Sequence, residues 1–382
     1  MKAVFEKNAL VAGVTPALSS VSGRNTMPAI EGVNLRCEEP GKCVITSYDL
    51  EKGFRTTIEC EVSEPGSIVI NGQKLCQVVR TMPGDFITLE IAKNGVAAIS
   101  SGNSRFELPA IDGKDFPSLP DLNGDRGFEI SQSVFSAMLD QVMFAIAQNN
   151  MRPELNGAYF VTDGSKLTIV SCDGNKLAFT ERALPIRDFK HDNAAMDEKF
   201  IVPGRTLADV QKAISDVDEP MYIKMTLKHV IFNVGELIFF TRIIDTKYID
   251  YKRFIPLDGN IFVKLDSDSL VGALERAMLV TEDRALGQAK SPLKCKFVGN
   301  KLIVNSTSVT GRVEDEIFTE KIGDDIEIGF NCRYLLDAMR ACRSERVQLT
   351  LKGPLMSMII RPAEDDPDNH FLFMVLPVKM VR

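Results

Sequence analysis

No two cysteines in this 382-residue chain are spaced CxxC, and no cysteine–histidine cluster has zinc spacing. The sequence therefore offers no structural zinc site. Its eight cysteines, Cys37, Cys43, Cys60, Cys76, Cys172, Cys295, Cys332 and Cys342, fall mostly inside apolar strand or helix patterns. They are expected to be reduced core thiols of a cytoplasmic protein. No apolar run approaches about 18 residues, so no membrane-spanning helix is expected. Glu6 and Lys7 interrupt the N-terminus before a signal-peptide core can form, so no leader is expected either. GxSxG, P-loop, HExxH and GxGxxG signatures are all missing. The three histidines, His191, His229 and His370, are scattered. Acidic runs at Glu314-Asp315-Glu316, Asp324-Asp325 and Glu364-Asp365-Asp366 sit in turn-like polar stretches with no motif around them. A catalytic site, a metal and a cofactor are accordingly not expected. Basic charge is not in excess: 45 Lys+Arg stand against 52 Asp+Glu, a net charge of −7. Sequence-specific DNA readers usually carry a basic patch or stripe, so that balance argues against DNA as a partner. It leaves room for a local basic surface on an acidic body.

What the chain does have is a long repeat. Three segments spaced by about 130 residues, far longer than a solenoid repeat, open with a short strand and an amphipathic helix. They read AVFEKNALVAGVTPALSSV, FEISQSVFSAMLDQVMFAIA and FVKLDSDSLVGALERAMLV. Their apolar positions recur at helical spacing: Leu10, Val14, Leu18; Val134, Met138, Val142; Leu270, Leu274, Met278. Ser131 and Ser267 are candidate N-caps, and Pro16 is expected to kink or shorten the first helix. Each segment continues into alternating strands and then a second strand–helix unit: SIVINGQKLCQVVRTM, KFIVPGRTLADVQKAI and EIGFNCRYLLDAMRAC. Leu75, Leu207 and Leu335 match within these helices.

The pattern predicts an α+β fold of three tandem similar domains, 1–126, 127–254 and 255–382, each with two helices packed on antiparallel sheets. The boundaries fall in stretches holding Pro, Gly and Asp. Tandem copies can continue their sheets from domain to domain, and a symmetric oligomer would remove the exposed sheet edges. A dimer would supply twelve helices. Spaced about 10 Å apart they form a circle ~38 Å across; removing about 5 Å of helix bulk per side leaves a bore of ~28 Å. The second helices carry Lys74 and Arg80, Arg205 and Lys212, and Arg340 and Arg343, so an acidic body could present basic helices inward.

Seven stretches in this order carry a family resemblance: GRNTMPAIEGV (Gly23–Val33), SGNSRFELP (Ser101–Pro109), LNGAYFVTDG (Leu155–Gly164), SCDGNKLA (Ser171–Ala178), DYKRFIP (Asp250–Pro256), IGFNCRYLLDAM (Ile328–Met339) and FMVLPVKM (Phe373–Met380). With the threefold repeat and the length, the chain resembles the bacterial DNA sliding clamps, the β subunits of DNA polymerase III, over essentially its whole length. The resemblance implies a head-to-tail homodimeric ring of DNA-clamp domains around duplex DNA. Such a ring confers processivity on the replicative polymerase, is placed by a clamp loader, and has no chemistry of its own. A monomeric adaptor with the same domains is the alternative.

The resemblance also implies three sets of site residues. A partner-peptide groove would use Leu155, Cys172, Gly174, Asn175, Lys176, Leu177, Ile249, Arg253, Phe254, Asn331, Tyr334, Met374, Val375, Leu376, Pro377 and Val378. It would receive short peptides of the replicative polymerase catalytic subunit, the clamp loader, repair polymerases and mismatch-repair proteins. DNA contacts would come from Arg24, Gln148, Asn149 and Arg152, together with the six helix cations named above. The dimer seam would set Phe106 and Leu108 against Leu279 and Val280 of a second copy. Departures from the family pattern are Cys172 where Thr is frequent, Asn175-Lys176 where His-Arg is frequent, and Ile249 where Pro is frequent. Pro153-Glu154 replaces aromatics in the DNA-facing loop, so base stacking is not expected there.

Overall fold

A computed structural model describes residues 1–23, 27–91, 95–191, 194–256, 258–281, 292–308, 311–364 and 366–380. Among them the chain forms six α-helices and twenty-eight strands. The helices are α1 (Lys7–Ala17), α2 (Gly72–Thr81), α3 (Gln132–Val142), α4 (Gly204–Ala213), α5 (Ser267–Thr281) and α6 (Cys332–Cys342). They fall where the periodicity places them, because an apolar stripe every third or fourth residue must find a core. Leu75, Leu207 and Leu335 are all buried in that core. Pro16 lies in the last turn of α1, which closes at Ala17 and passes into a 3-10 turn at Leu18–Ser20.

The capping residues differ from expectation. Ser267 is the first residue of α5, and its hydroxyl is buried with no hydrogen-bond partner. The preceding Asp266 does the capping: its Oδ1 accepts from Ser269 N at 2.7 Å. A carboxylate there also suits the positive end of the helix dipole. Ser131 does precede α3, but its hydroxyl pairs with the Ser133 hydroxyl at 2.8 Å and Asp218 at 3.4 Å.

The chain divides into two compact units. The first comprises Met1–Ser136, Arg187–Ala194 and Arg205–Ile243 and holds one thirteen-stranded sheet. The second comprises Ala137–Ile186, Ala195–Gly204 and Ile244–Arg382 and holds sheets of nine and four strands. The middle third of the chain thus contributes to both. In the first unit its strand Leu237–Arg242 pairs antiparallel with Lys52–Glu59, setting Phe240 opposite Gly53. In the second its strand Lys176–Ala183 pairs antiparallel with His370–Val375, setting Leu177 opposite Met374. Sheets therefore run on from one repeat into the next. Helix α1 packs on α2 within the first unit, and α5 on α6 within the second.

The join in the first unit is filled. Gly53 is required there, because a Cβ at that position would lie 2.1 Å from Phe240 Cζ. Tyr48 packs on Phe240 with ring centroids 5.4 Å apart, and Phe54 on Phe239 at 5.1 Å. Phe116, Leu119 and Leu122 cover the cluster.

Candidate functional site

The corresponding join in the second unit is hollow. A cavity of about 520 Å³ opens there, built from segments far apart in the chain. Its floor is Leu155, Cys172, Leu177 and Met374, all buried. Leu155 comes from the 3-10 turn Pro153–Asn156, and Cys172 ends the strand Lys166–Cys172. Beneath the floor Tyr159 stacks on Tyr248 at 4.7 Å, and Tyr248 Oη donates to Val170 O at 3.3 Å. Burial pushes the Tyr248 phenol and the Cys172 thiol up from their ordinary values, so both stay neutral and the floor carries no charge. The rim is apolar and exposed: Phe254 (57%), Leu355 (74%), Met356 (45%) and Leu376 (36%). Gly174, Ile249 and Pro377 also line it, with Arg152, Ser357 and Lys379 as polar groups. Size, apolar lining and a few polar groups that can fix orientation suit a short peptide with hydrophobic side chains.

The turn between Cys172 and Leu177 shapes one wall. Asp173 Oδ1 accepts from Asn175 N at 2.8 Å and Lys176 N at 2.9 Å. Gly174 takes φ +95°, a left-handed backbone that glycine adopts without penalty. Asn175 contributes its carbonyl, which accepts from Leu376 N at 2.9 Å.

Several expected groove residues face elsewhere. Lys176 neighbours Leu177 on the same strand, so alternation points it to the opposite face. Its buried Nζ donates to Phe144 O at 2.6 Å, lies 3.4 Å from Asp337 Oδ2, and sits over the rings of Phe144 and Tyr334. Tyr334 thus packs on the lysine, outside the cavity lining. Val375, next to Met374, is fully buried by the same alternation. Asn331 caps α6, its Oδ1 accepting from Arg333 N at 3.0 Å and Tyr334 N at 3.4 Å. Val378 N donates to Gly329 O at 2.8 Å. Arg253 is exposed and pairs with Asp250 at 2.7 Å. Sequence reasoning missed Leu355, Met356, Ser357 and Lys379. It also assigned Arg152 to DNA alone, whereas Arg152 borders the cavity and is held by Glu154 at 2.8 Å.

Arg24 lies outside the described residues. Gln148 and Asn149 are exposed, the latter at φ +56°. Lys74 and Arg80 on α2, Arg205 and Lys212 on α4, and Arg340 and Arg343 at the end of α6 are all exposed. Arg340 pairs with Glu275 at 2.7 Å and Arg343 with Asp140 at 2.8 Å. Exposed pairs of this kind are worth about 0–1 kcal/mol, so phosphate could compete for both guanidinium groups. Phe106 is 48% exposed and Leu108 half-buried on the strand Ser104–Asp112. Leu279 is 79% exposed and Val280 half-buried in the last turn of α5.

Four carboxylates of the acidic runs are held in ion pairs. Glu314, Asp315 and Glu316 pair with Arg312, Arg276 and Lys301 at 2.6, 2.9 and 2.7 Å. Asp325 pairs with Lys321 at 2.7 Å. No group of three potential ligands could hold a metal among the described residues, and none of their helices is long and apolar enough to cross a membrane.

Fold and cavity together define a class: a tandem-repeat α+β protein whose sheets continue from repeat to repeat, with a peptide-sized slot at one join. Models of the DNA polymerase III beta subunit match the chain three times in order: the N-terminal domain at residues 1–120, the central domain at 129–250 and the C-terminal domain at 252–377. The beta sliding clamp of Staphylococcus epidermidis is 25% identical, with 99% of each chain covered. The solved DNA polymerase III subunit beta of Pseudomonas aeruginosa is 26% identical and superposes over 100% of both chains with a TM-score of 0.86. The sliding clamp structure from Bacillus subtilis, 23% identical, shares the fold over 100% of both chains at a TM-score of 0.90. The chain belongs to the DNA polymerase III beta subunit family, the bacterial sliding clamps that act as processivity factors in DNA replication.

Proposed function

We propose that the chain closes with a second copy into a head-to-tail ring of six domains, 1–126, 127–254 and 255–382 from each protomer, around duplex DNA in the cytoplasm. Phe106 and Leu108 meet Leu279 and Val280 of the other copy. Gln148, Asn149, Arg152 and the exposed cations of α2, α4 and α6 face phosphate, as Arg24 does in the resemblance. Contacts to phosphate carry no sequence information and weaken with salt, which is what a sliding ring needs. The ring performs no chemistry. Short peptides of the replicative polymerase, the clamp loader, repair polymerases and mismatch-repair proteins share the groove.

The observation that carries this reading is the apolar cavity assembled from Leu155, Cys172, Leu177, Phe254, Met374 and Leu376. A pentapeptide with a glutamine and a terminal Leu or Phe is expected to bind with micromolar affinity, roughly −8 kcal/mol, because ordering a flexible peptide offsets much of the buried area. Leu177→Lys places an unpaired charge on the floor and should weaken binding at least about a hundredfold while the dimer mass persists. Fluorescence anisotropy beside a solution mass measurement tests this; full affinity in a dimeric Leu177→Lys would remove the groove from the proposal. Encirclement has its own test: loaded protein should stay on nicked circular DNA and leave linear DNA.

A further inference from the structure

The sheet of the first unit carries a second cavity, of about 480 Å³, under the segment 113–119. Directly opposed residues of an antiparallel ladder share a face, and the ladder sets Asn34 against Thr46 and Thr46 against Arg55. The side chains of Ile45 and Thr56 approach Gly13 of α1, so α1 covers the face that they occupy. Alternation turns their neighbours Thr46 and Arg55 to the other face. The segment 113–119 lies close over that second face: a Cβ at Gly113 would fall 2.0 Å from Ser67 Oγ. Ser67 Oγ in turn donates to Asn34 Oδ1 at 2.8 Å.

The matching row of the second unit is Tyr159, Val170 and Phe179. There Tyr159 stacks on Tyr248, and Phe179 packs on Tyr251 with ring centroids 6.1 Å apart, so rings close the face. In the first unit the same three places hold an amide, a hydroxyl and a guanidinium, and the face stays open. Three cations line the opening, Arg36, Arg55 and Lys114, against one carboxylate, Glu38. Glu38 pairs with Arg36. Arg55 is half-buried and Lys114 exposed, and among the described residues no acceptor pairs with either side chain.

We propose that this cavity binds a small ligand bearing clustered phosphates, with Arg55 as its anchor and Arg36 and Lys114 as flanking cations. A guanidinium taken partly out of water without an acceptor is costly, and its forked N–H edge matches the oxygens of a phosphate. The Arg36–Glu38 pair is exposed and worth about 0–1 kcal/mol, so phosphate competes for Arg36 at little cost. The volume falls within the range of about 300–1,000 Å³ of small-molecule sites. Phe116 lines the same cavity and offers an aromatic wall to a base attached to the phosphates. The site lies on the face turned away from α1, apart from the helix cations.

The test uses the full chain without divalent cations, titrated calorimetrically with inorganic pyrophosphate and with ADP at matched ionic strength. Saturable binding of one pyrophosphate per chain is expected, weakening as sodium chloride is added. ADP binding as tightly or more tightly supports a nucleotide; exclusion of ADP supports an inorganic source of the same chemistry. Arg55→Gln should weaken pyrophosphate at least about tenfold, and Lys114→Gln, at an exposed turn position that leaves folding intact, should weaken it severalfold. Lys228→Gln, at an exposed position elsewhere in the first unit, should leave affinity unchanged. Absence of saturable binding by either probe at millimolar concentration would overturn the proposal. So would full affinity in both Arg55→Gln and Lys114→Gln, or an equal loss in Lys228→Gln.

Discussion

Two turns of this chain, Asp49–Gly53 and Asp173–Leu177, share one polar frame and serve opposite ends. In the first, Asp49 Oδ1 accepts from Glu51 N at 2.9 Å and Lys52 N at 2.8 Å. In the second, Asp173 Oδ1 accepts from Asn175 N and Lys176 N at 2.8 and 2.9 Å. Lys52 Nζ reaches Asp209 of α4 at 2.7 Å, and Lys176 Nζ reaches Asp337 of α6 at 3.4 Å. Both lysines tie a strand of one repeat to the second helix of the next. The difference lies in the side chains at matching places: Tyr48, Gly53 and Phe240 against Cys172, Leu177 and Met374. Two rings over a glycine fill the first join. A thiol, a leucine and a methionine leave the second with room for a guest. The frame holds neighbouring repeats together; the volume packed inside it decides whether the join is closed or open.

The largest effect is expected from forcing the filled join to resemble the hollow one. Gly53→Leu drives a side chain into the Phe240 ring, and overpacking should cost about 3 kcal/mol or more. Urea denaturation of the full chain would show a lowered midpoint, and an unchanged midpoint would mean that the contact relaxes freely. Next come the lysine ties. Lys52→Met and Lys176→Met each leave a partly buried aspartate without its partner, at a cost of about 3 kcal/mol. Lys176→Met should also weaken peptide binding, since its turn walls the groove, whereas Lys52→Met should leave peptide affinity intact. Anisotropy on both variants separates the two.

Filling the hollow join is gentler on stability. Cys172→Tyr installs the counterpart of Tyr48, and because the cavity can take the ring, stability should change by about 1 kcal/mol or less. Peptide affinity should fall at least about tenfold as the ring takes the guest's space; undiminished affinity would place the bound peptide elsewhere. The smallest effect concerns the turns. Leu50 is held at φ +77° where the other turn has Gly174 at +95°. Leu50→Gly should stabilise, and Gly174→Leu destabilise, by about 1 kcal/mol each, read as opposite shifts in thermal midpoint.

The helices and the repeat were legible because both rest on local periodicity. Leu75, Leu207 and Leu335 recur in register, and all three are buried. Composition also placed most thiols: seven of the eight cysteines are buried. The site was legible in part. The resemblance named Leu155, Cys172, Leu177 and Met374, which line one cavity. It also named Lys176 and Val375, which strand alternation turns away. Leu355, Met356 and Ser357 gave no signal, since an irregular stretch before a strand has no period to read. The cap of α5 was misread for a related reason: Asp266 and Ser267 are both good N-caps, and only the backbone decides which side chain meets the free amide.

By itself, then, the chain determined six amphipathic helices, the strands between them, a threefold repeat and thiols placed mostly in the core, because each follows from side-chain period and polarity within a short stretch. Tertiary structure alone decided that the middle repeat lends strands to both compact units, that Lys176 is a buried tie, and that one join is filled while the other stays open. Those outcomes depend on whether Phe240 lies over Gly53 and Met374 beside Leu177, pairings between residues nearly two hundred positions apart. No local pattern encodes how much volume such distant partners leave between them; close packing settles it only once the strands have met.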